Sequence, residues 1–209
     1  MTIVSPYMPF PPISWWATTI DTDVLLLDKS EHFQKMTLRN KYCIAGANGL
    51  IQLSIPLQNG RNQRAAMKDI QIAPGNWQVQ HWRTLTAAYA RSPYFEYYAQ
   101  SLQVLFETPF QLLVDFNNAS LLWLEKVLKK QLNKTITETY NKTYENATDL
   151  RITKFKVNNA VKFPEYYQVF SDRTDFISNL SMLDLLFSEG PATIAWIEEN
   201  KEAILEAVG

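Results

Sequence analysis

The sequence predicts an α/β or α+β fold, with one mixed sheet built mainly from N-terminal strands and packed by several helices from the middle and C-terminal parts. Two observations lead to this prediction: strand-like patterns come early in the chain, and helical periodicity dominates later. A chain of 209 residues with 46% hydrophobic and 20% charged residues has the composition of a globular protein. We therefore expect a single domain over residues 1–209.

The N-terminal half contains the clearest strand patterns. The continuous apolar run DVLLLD, residues 23–28, is typical of a strand buried on both faces. The segment GLIQLSIPL, residues 49–57, alternates apolar and polar side chains, which predicts a half-buried strand. Shorter strands are predicted from Leu38 to Ala45 and over residues 69–73. The prolines at positions 6, 9, 11 and 12 predict an extended loop at the start of the chain.

Helical patterns follow from residue 77. We predict one helix over about 77–91, a second beginning at Ser92-Pro93 with the serine as its cap, and a long third helix over about 110–133. Residues 150–157, LRITKFKV, predict a further strand. In residues 180–190, Ser181 is predicted to cap a helix and Asp184 to complete a capping box. Gly190 ends that helix before the last one, which runs to about residue 208.

The charged residues are distributed in blocks. The segment 29–91 has nine basic and two acidic residues, and 126–162 has nine basic and three acidic residues. Residues 165–209 instead have nine acidic and two basic residues, and seven more acidic residues outside these blocks bring the net charge of the chain to -1. The basic blocks favour an anionic ligand, although folding can also mix the blocks into an even surface. A nucleic-acid partner is not predicted, because the sequence pI is about 6.1.

The location predicted from the sequence is the cytoplasm. Cys43 is the only cysteine, so no disulfide forms within the chain and a reducing compartment fits best. The first residues contain neither the basic start nor the apolar run of a signal peptide. No apolar run is long enough to span a bilayer, and membrane insertion is not expected. The oligomeric state is left open.

The segment 77–98 contains the main aromatic cluster of the chain. At helical spacing, one stripe contains Trp77, His81, Leu85, Ala88 and Tyr89. Two interpretations of His81 stay open: a core residue with satisfied hydrogen bonds, or one edge of a pocket walled by Trp77 and Trp82. Tryptophan-walled pockets suit sugar rings, bases and acyl groups. In the second interpretation, His81 is the acid or base that works near neutral pH.

Polar side chains follow the first buried strand, where ligands bind in open α/β sheets. Asp28 is the second candidate catalytic residue beside His81, as an acceptor for sugar hydroxyls, and the candidates for binding an anion are Arg39, Asn40 and Lys41. The same segment also contains His32 and Lys35. Arg64, with Arg61 and Lys68, lies in a polar loop that either covers an anion as a lid or is simply solvated. A solvated hairpin is the alternative for the whole segment.

Several familiar chemistries are not indicated. The sequence has no glycine-rich phosphate loop and no nucleophile elbow. One cysteine and two histidines do not make a zinc site of the ordinary type, and we predict neither a metal nor a cofactor. Residue types alone permit a dyad of Cys43 with His32 or His81, but no spacing supports it.

Six segments together resemble the WbqC-like family of bacterial proteins. In chain order they are DVLLLDKSEHFQKMTLRNKY, LIQLSIPL, KDIQIAPGNWQVQHWRTLTAAYARSPYFEYY, LLVDFN, YYQVF and LSMLDLLFSEGP, between residues 23 and 191. The resemblance implies a cytoplasmic protein of surface polysaccharide or lipopolysaccharide O-antigen biosynthesis, handling a sugar nucleotide or another phosphate-bearing precursor. A transferase is the leading expectation. A non-catalytic binding or scaffold protein of the same pathway is the alternative.

Two departures from the family pattern leave enzyme activity open. Many relatives begin with a strand that ends in His-Gln-Pro, whereas this chain has Ser5-Pro6-Tyr7-Met8-Pro9 and no histidine. Many also have a longer segment rich in glycine and serine where this chain has residues 142–162.

Overall fold

Two separate sheets organise the fold. The computed structural model describes residues 1–60, 62–153, 155–157 and 162–208. In chain order, the strands are β1 (Thr2–Pro6), β2 (Val24–Asp28), β3 (Lys41–Gly46), β4 (Gly49–Ser54), β5 (Lys134–Thr137) and β6 (Ala147–Asp149). The helices are α1 (Ile13–Thr19), α2 (Trp77–Tyr89), α3 (Phe95–Glu107), α4 (Leu113–Leu128), α5 (Met182–Glu189) and α6 (Thr193–Val208).

The predicted fold class is confirmed, but the strands form two sheets rather than one mixed sheet. One is a parallel sheet of four strands in the order β5-β2-β1-β6, and the other is the antiparallel hairpin β3–β4. Two strands of the parallel sheet, β5 and β6, come from the second half of the chain. All four parallel strands end at the same edge, which is where ligands bind in α/β sheets.

The predicted extended loop is confirmed over residues 7–12, which join β1 to α1, but the residues before it form a strand that was not predicted. Residues 2–6 form a central strand that pairs with both β2 and β6, and the side chains of Ile3 and Val4 are fully buried. Pro6 is the last residue of β1, where the ladder ends. Pro12 immediately precedes α1, and its φ of -69° suits the start of a helix. The prolines therefore lie at the end of the strand, in the loop or just before the helix, where proline is tolerated.

The hairpin presents two different faces. Its strands pair Lys41 with Ser54, Cys43 with Gln52 and Ala45 with Leu50, and because side chains alternate along a strand these residues share one face. The opposite face carries Tyr42, Ile44, Ile51 and Leu53. The loop closes at Gly49, whose φ of 105° is a conformation that other residues rarely adopt.

Several predicted boundaries in the middle of the chain are wrong. Ser92 does not cap α3; its hydroxyl donates a hydrogen bond to the Tyr89 carbonyl instead. The long helix ends at Leu128, because Lys129 adopts the left-handed conformation, and the chain then enters β5. Residues 150–152 form a 3₁₀ turn rather than a strand. The predicted strand at 69–73 makes only isolated bridges through Gln71 and Ile72.

The C-terminal helices agree with the sequence prediction except at one residue. The Ser181 hydroxyl caps α5 by accepting a hydrogen bond from the Leu183 amide. The Asp184 carboxylate does not complete the capping box, since it accepts hydrogen bonds from Tyr89 and Tyr166 instead. Gly190 separates α5 from the turn that leads into α6. Throughout the part of the chain that the structure describes, no helix combines the length and apolarity needed to cross a membrane.

Candidate functional site

A cavity of about 320 Å³ opens at the carboxyl end of β1. One wall is the Lys41, Cys43, Leu50 and Gln52 face of the hairpin. The other walls come from the end of β1, from residues 36–39, from Thr153 and from residues 155–157. The cavity therefore lies at the edge of the parallel sheet where the sequence predicted a ligand site.

The lining of this cavity combines positive charge with apolar surface. Arg39, Lys41 and Lys156 are its basic residues, and Met8, Leu50 and Phe155 are among its apolar ones. No ion pair within the described ranges includes Lys41 or Lys156. The described lining has no acidic residue. Both lysines therefore contribute uncompensated positive charge at the cavity.

Arg39 contributes differently, because its charge is already paired. Its guanidinium donates to Glu31 through Nε, at 2.9 Å, and through Nη2, at 2.5 Å. Nη2 also donates to the Arg151 carbonyl at 3.0 Å, and the Arg39 side chain is only 2% exposed. An anion near Arg39 therefore meets a fixed guanidinium whose net charge is largely cancelled by Glu31.

Behind this wall lies a buried network that holds the edge of the sheet together. Arg151 Nη1 donates to Asp28 Oδ2 at 2.7 Å, and its Nη2 donates to Asp149 Oδ2 at 2.6 Å. The rings of Tyr140 and Tyr144 lie 5.6 and 5.0 Å from the guanidinium carbon. The hydrogen bonds and negative charges of Asp149 and Asp28 raise the pKa of Arg151. The sequence interpretation missed Arg151, whose only local signal is Asp149 two residues before it.

Asp28 is fully occupied by this network. Its Oδ1 accepts hydrogen bonds from the Ser30 amide at 2.9 Å, the Glu31 amide at 3.1 Å and the Thr137 hydroxyl at 2.8 Å. The side chain is fully buried. In this arrangement Asp28 joins β2, β5 and Arg151, and its predicted role toward sugar hydroxyls stays a prediction.

His81 lies on the other side of the hairpin from the cavity. Its Nδ1 is 3.2 Å from the Tyr42 hydroxyl, and its Nε2 is 3.3 Å from the Ser54 carbonyl oxygen. The Trp77 and Phe106 rings pack edge-on against the imidazole. Burial lowers the pKa of His81 to about 4, so the ring is neutral at pH 7. Because Tyr42 and Lys41 point to opposite faces of β3, the structure does not bring His81 and Arg39 to one pocket.

The helical stripe that contains His81 is confirmed as a buried face. The buried residues of α2 are the five that the spacing predicts: Trp77, His81, Leu85, Ala88 and Tyr89. Trp82 is half-buried and stacks on Phe95, with ring centroids 6.0 Å apart. Neither of the two tryptophans that were predicted to wall a pocket lines the basic cavity. Trp77 lines a different cleft, together with Phe110.

The remaining predicted ligand residues are dispersed. The Asn40 side-chain amide donates to the Ile55 carbonyl at 3.0 Å and so joins the residue before β3 to the residue after β4. Arg64 lines a surface depression with Phe33 and Lys35, apart from the basic cavity. Arg61, the other arginine of the predicted lid, lies outside the described residues. The structure therefore brings together Arg39 and Lys41 at one cavity, and adds Lys156, which the sequence interpretation had not selected.

Comparison with models of protein families assigns the chain to a family. Residues 6–156 match the model described as the WbqC-like protein family, which is well over half of the 209 residues. The chain belongs to the WbqC-like protein family. No curated protein and no solved structure matches it in the corresponding comparisons.

The WbqC-like match includes the cavity almost completely. It begins at Pro6 and ends at Lys156, both of which line the cavity, and among the described lining residues only Val157 lies beyond it. Two of the segments that carried the resemblance in the sequence, YYQVF and LSMLDLLFSEGP, lie after the matched residues. The part of the fold shared with the family model is therefore the part that builds the basic cavity.

Proposed function

We propose that this WbqC-like protein binds a sugar nucleotide, or another phosphate-bearing sugar precursor, in the basic cavity at the carboxyl end of β1. The observation that carries the proposal is the combination of two uncompensated lysines with an apolar wall in one cavity of about 320 Å³. The general context of the family, surface polysaccharide biosynthesis, supplies the class of ligand. Such precursors are cytoplasmic, and the proposal assigns the protein to that compartment.

Charge supports a phosphate group at Lys41 and Lys156. Lysine is a compact point charge with three donors and binds phosphate without a fixed geometry. Arg39 is buried and its Nε and Nη2 atoms donate to Glu31, so it fixes one wall of the cavity and adds little net charge. The two lysines therefore suit a ligand whose anionic end lies between the hairpin and residues 155–157.

The apolar part of the lining supports a ligand with more than a phosphate. Met8, Leu50 and Phe155 offer surface for a base or for the C–H face of a sugar ring. Inorganic phosphate alone would leave this surface uncovered. The proposal therefore predicts that a sugar nucleotide binds more tightly than phosphate.

Transfer of the sugar is the leading proposal for the reaction, and binding without catalysis is the second. One observation favours the second: His81, the predicted acid or base, has both ring nitrogens engaged on the far face of the hairpin. Asp28, the other predicted catalytic residue, has both carboxylate oxygens engaged. A transferase requires a catalytic group that touches the substrate, and neither of these two residues is free to do so here. The two proposals also differ in outcome: a transferase consumes the bound precursor, and a binding protein does not.

A thermal-shift titration tests the binding proposal. UDP-glucose, UDP-N-acetylglucosamine, GDP-mannose and dTDP-glucose are compared with free glucose and inorganic phosphate. A ligand that binds only the native state raises the melting temperature with concentration. Lys41→Gln/Lys156→Gln is expected to abolish the rise, while the control Lys126→Gln, exposed on α4, keeps it. The proposal is wrong if no sugar nucleotide raises the melting temperature, or if the double variant responds as the wild type does.

Product analysis then separates the two proposals. The nucleotide precursor that binds is incubated with the protein, with and without bacterial glycan fragments as acceptors, and nucleotide release is followed by chromatography. Release that requires the protein and the lysines supports a transferase. Binding without release under all conditions supports the binding or scaffold role.

A further inference from the structure

A second, uncharged cleft lies where the chain entering α2 meets the connection between α3 and α4. Its volume is about 350 Å³, and its lining comes from residues 71–75, 77–78 and 109–111 together with residue 58. Four of its side chains are glutamines, at positions 58, 71, 78 and 111. No charged residue occurs in the described lining. This composition contrasts with the basic cavity, with which the cleft shares no lining residue.

The side chains of this cleft match the chemistry of a neutral sugar. Each glutamine amide both donates and accepts hydrogen bonds, as does each hydroxyl group of a sugar. Pro74, Pro109 and Phe110 provide apolar surface beside the amides, and Trp77 forms part of the same wall. Flat apolar surface suits the C–H face of a pyranose ring, while the amides suit its equatorial hydroxyls. A charged ligand would find no countercharge here.

The walls of the cleft are joined by main-chain hydrogen bonds, so its shape exists before a ligand arrives. The Ile72 amide donates to the Gln111 carbonyl at 2.8 Å, and the Gln58 amide donates to the Gln71 carbonyl at 3.0 Å. The Gln78 side chain donates to the Thr108 carbonyl at 2.6 Å. Trp77 is packed edge-on against Phe116, with centroids 5.0 Å apart. A preformed site loses less entropy on binding.

We infer that this cleft binds an uncharged pyranose sugar, as a free saccharide or as a unit of a glycan chain. Gln58, Gln71 and Gln111 are exposed and supply the hydrogen bonds, while Phe110 and the flanking prolines contact the ring. The inference does not depend on the proposed function. If both are correct, the protein holds a charged precursor and a neutral glycan at separate places.

Saturation-transfer NMR tests the inference with galactose, N-acetylglucosamine, lactose and chitobiose, and with glucuronate as the charged counterpart. The neutral sugars are expected to receive saturation, mainly at ring C–H protons, and the disaccharides distinguish a single-unit site from a chain site. The indole N–H signal of Trp77, assigned with Trp77→Phe, is expected to shift on titration. Absence of saturation transfer to all four neutral sugars, or equal binding of glucuronate, overturns the inference.

A cleft variant locates the binding. In Gln71→Ala/Gln111→Ala, affinity is expected to fall about tenfold, because two hydrogen bonds to the sugar are lost. Both side chains are exposed, and the structural hydrogen bonds of these residues use the main chain, so folding is expected to persist and is checked by a thermal melt. The control Gln100→Ala, exposed on α3, and Lys41→Gln/Lys156→Gln are expected to bind as the wild type does. Unchanged affinity in the cleft variant contradicts the inference.

Discussion

At the scale of single residues, His81 shows how a polar group is accommodated in an apolar core. The imidazole takes up its position between Tyr42 and Ser54 and is enclosed by Trp77 and Phe106. Each ring nitrogen has one partner, so the neutral imidazole satisfies its hydrogen bonds. The charged imidazolium would be destabilised here, because burial removes its hydration. The sequence left open whether His81 belongs to a core or to a pocket, and the geometry favours the core.

This environment predicts a pH dependence of stability. Burial lowers the pKa of His81 from its ordinary value of 6.5 to about 4, so between these values the unfolded chain binds a proton that the folded chain does not. The contribution of His81 to the free energy of unfolding is therefore lost as the pH falls from 6.5 toward 4. The loss is on the order of 3 kcal/mol. Urea unfolding at about pH 7 and about pH 4.5 measures it.

Two variants isolate the effect. His81→Gln is expected to be less stable at neutral pH and to lose less stability on acidification than the wild type does. His32→Gln is the matched control, because His32 is the other histidine of the chain and is exposed. His32→Gln is expected to show the same difference in the free energy of unfolding between the two pH values as the wild type does. If His81→Gln keeps that difference as well, a group other than His81 causes it.

At the scale of elements, Asp184 joins three parts of the chain. Its carboxylate, at the start of α5, accepts hydrogen bonds from the Tyr89 hydroxyl of α2 at 2.5 Å and from the Tyr166 hydroxyl at 2.6 Å. The Gln168 side-chain amide donates to it at 3.1 Å. Asp184 is only 1% exposed, and burial raises its pKa against the opposing effect of these donors. The group is therefore structural, and it fixes the packing of α5.

Removing one hydroxyl from this cluster is expected to destabilise the fold. Tyr89→Phe and Tyr166→Phe should each lower the free energy of unfolding by about 1.5–3 kcal/mol, because the carboxylate stays buried and loses a donor. Chemical denaturation measures both variants. Tyr97→Phe is the control, since Tyr97 is 78% exposed, and its effect should stay within about 0.5 kcal/mol. Losses no larger than that of the control would mean that the hydroxyls do not stabilise Asp184.

Local patterns predict some of these elements and not others, for physical reasons. The alternation in residues 49–57 and the apolar run in 23–28 are properties of short segments, so β4 and β2 were predictable. By contrast, β1 is stabilised by pairing on both sides, and the prolines that end and follow it drew the prediction toward a loop. The strands β5 and β6 have four and three residues, too few for a period to show.

In the candidate site, too, residues within one short segment were predictable and contacts between distant segments were not. Arg39 and Lys41 were predictable because they follow a buried strand, and both line the cavity. The partner of Asp28 was not predictable, because Arg151 lies 123 residues further along the chain. Asp184 was assigned to a capping box for the same reason: its spacing from Ser181 is local, whereas Tyr89 is 95 residues away. Contacts between distant segments decide which charged residues stay available to a ligand.

At the scale of the whole molecule, the matched and unmatched parts of the chain are closely connected. The family match ends at residue 156, yet the Ser181 hydroxyl donates to the Phe10 carbonyl and the Ile13 amide donates to the Leu180 carbonyl. The Met182 amide also donates to the Pro11 carbonyl. These hydrogen bonds attach the start of α5 to the segment that links β1 and α1. The C-terminal residues therefore support the same sheet whose edge forms the basic cavity.

We predict that both parts unfold together as a single domain. Far-ultraviolet circular dichroism and tryptophan fluorescence should give coincident denaturation curves. Ile204→Ala removes a fully buried side chain of α6 and should lower the free energy of unfolding by about 2–5 kcal/mol, with both curves shifting equally. Ile152→Ala, at a side chain that is 80% exposed, should shift neither. Separate transitions, or a shift of only one curve, would mean that α6 belongs to a unit that unfolds independently of the sheet.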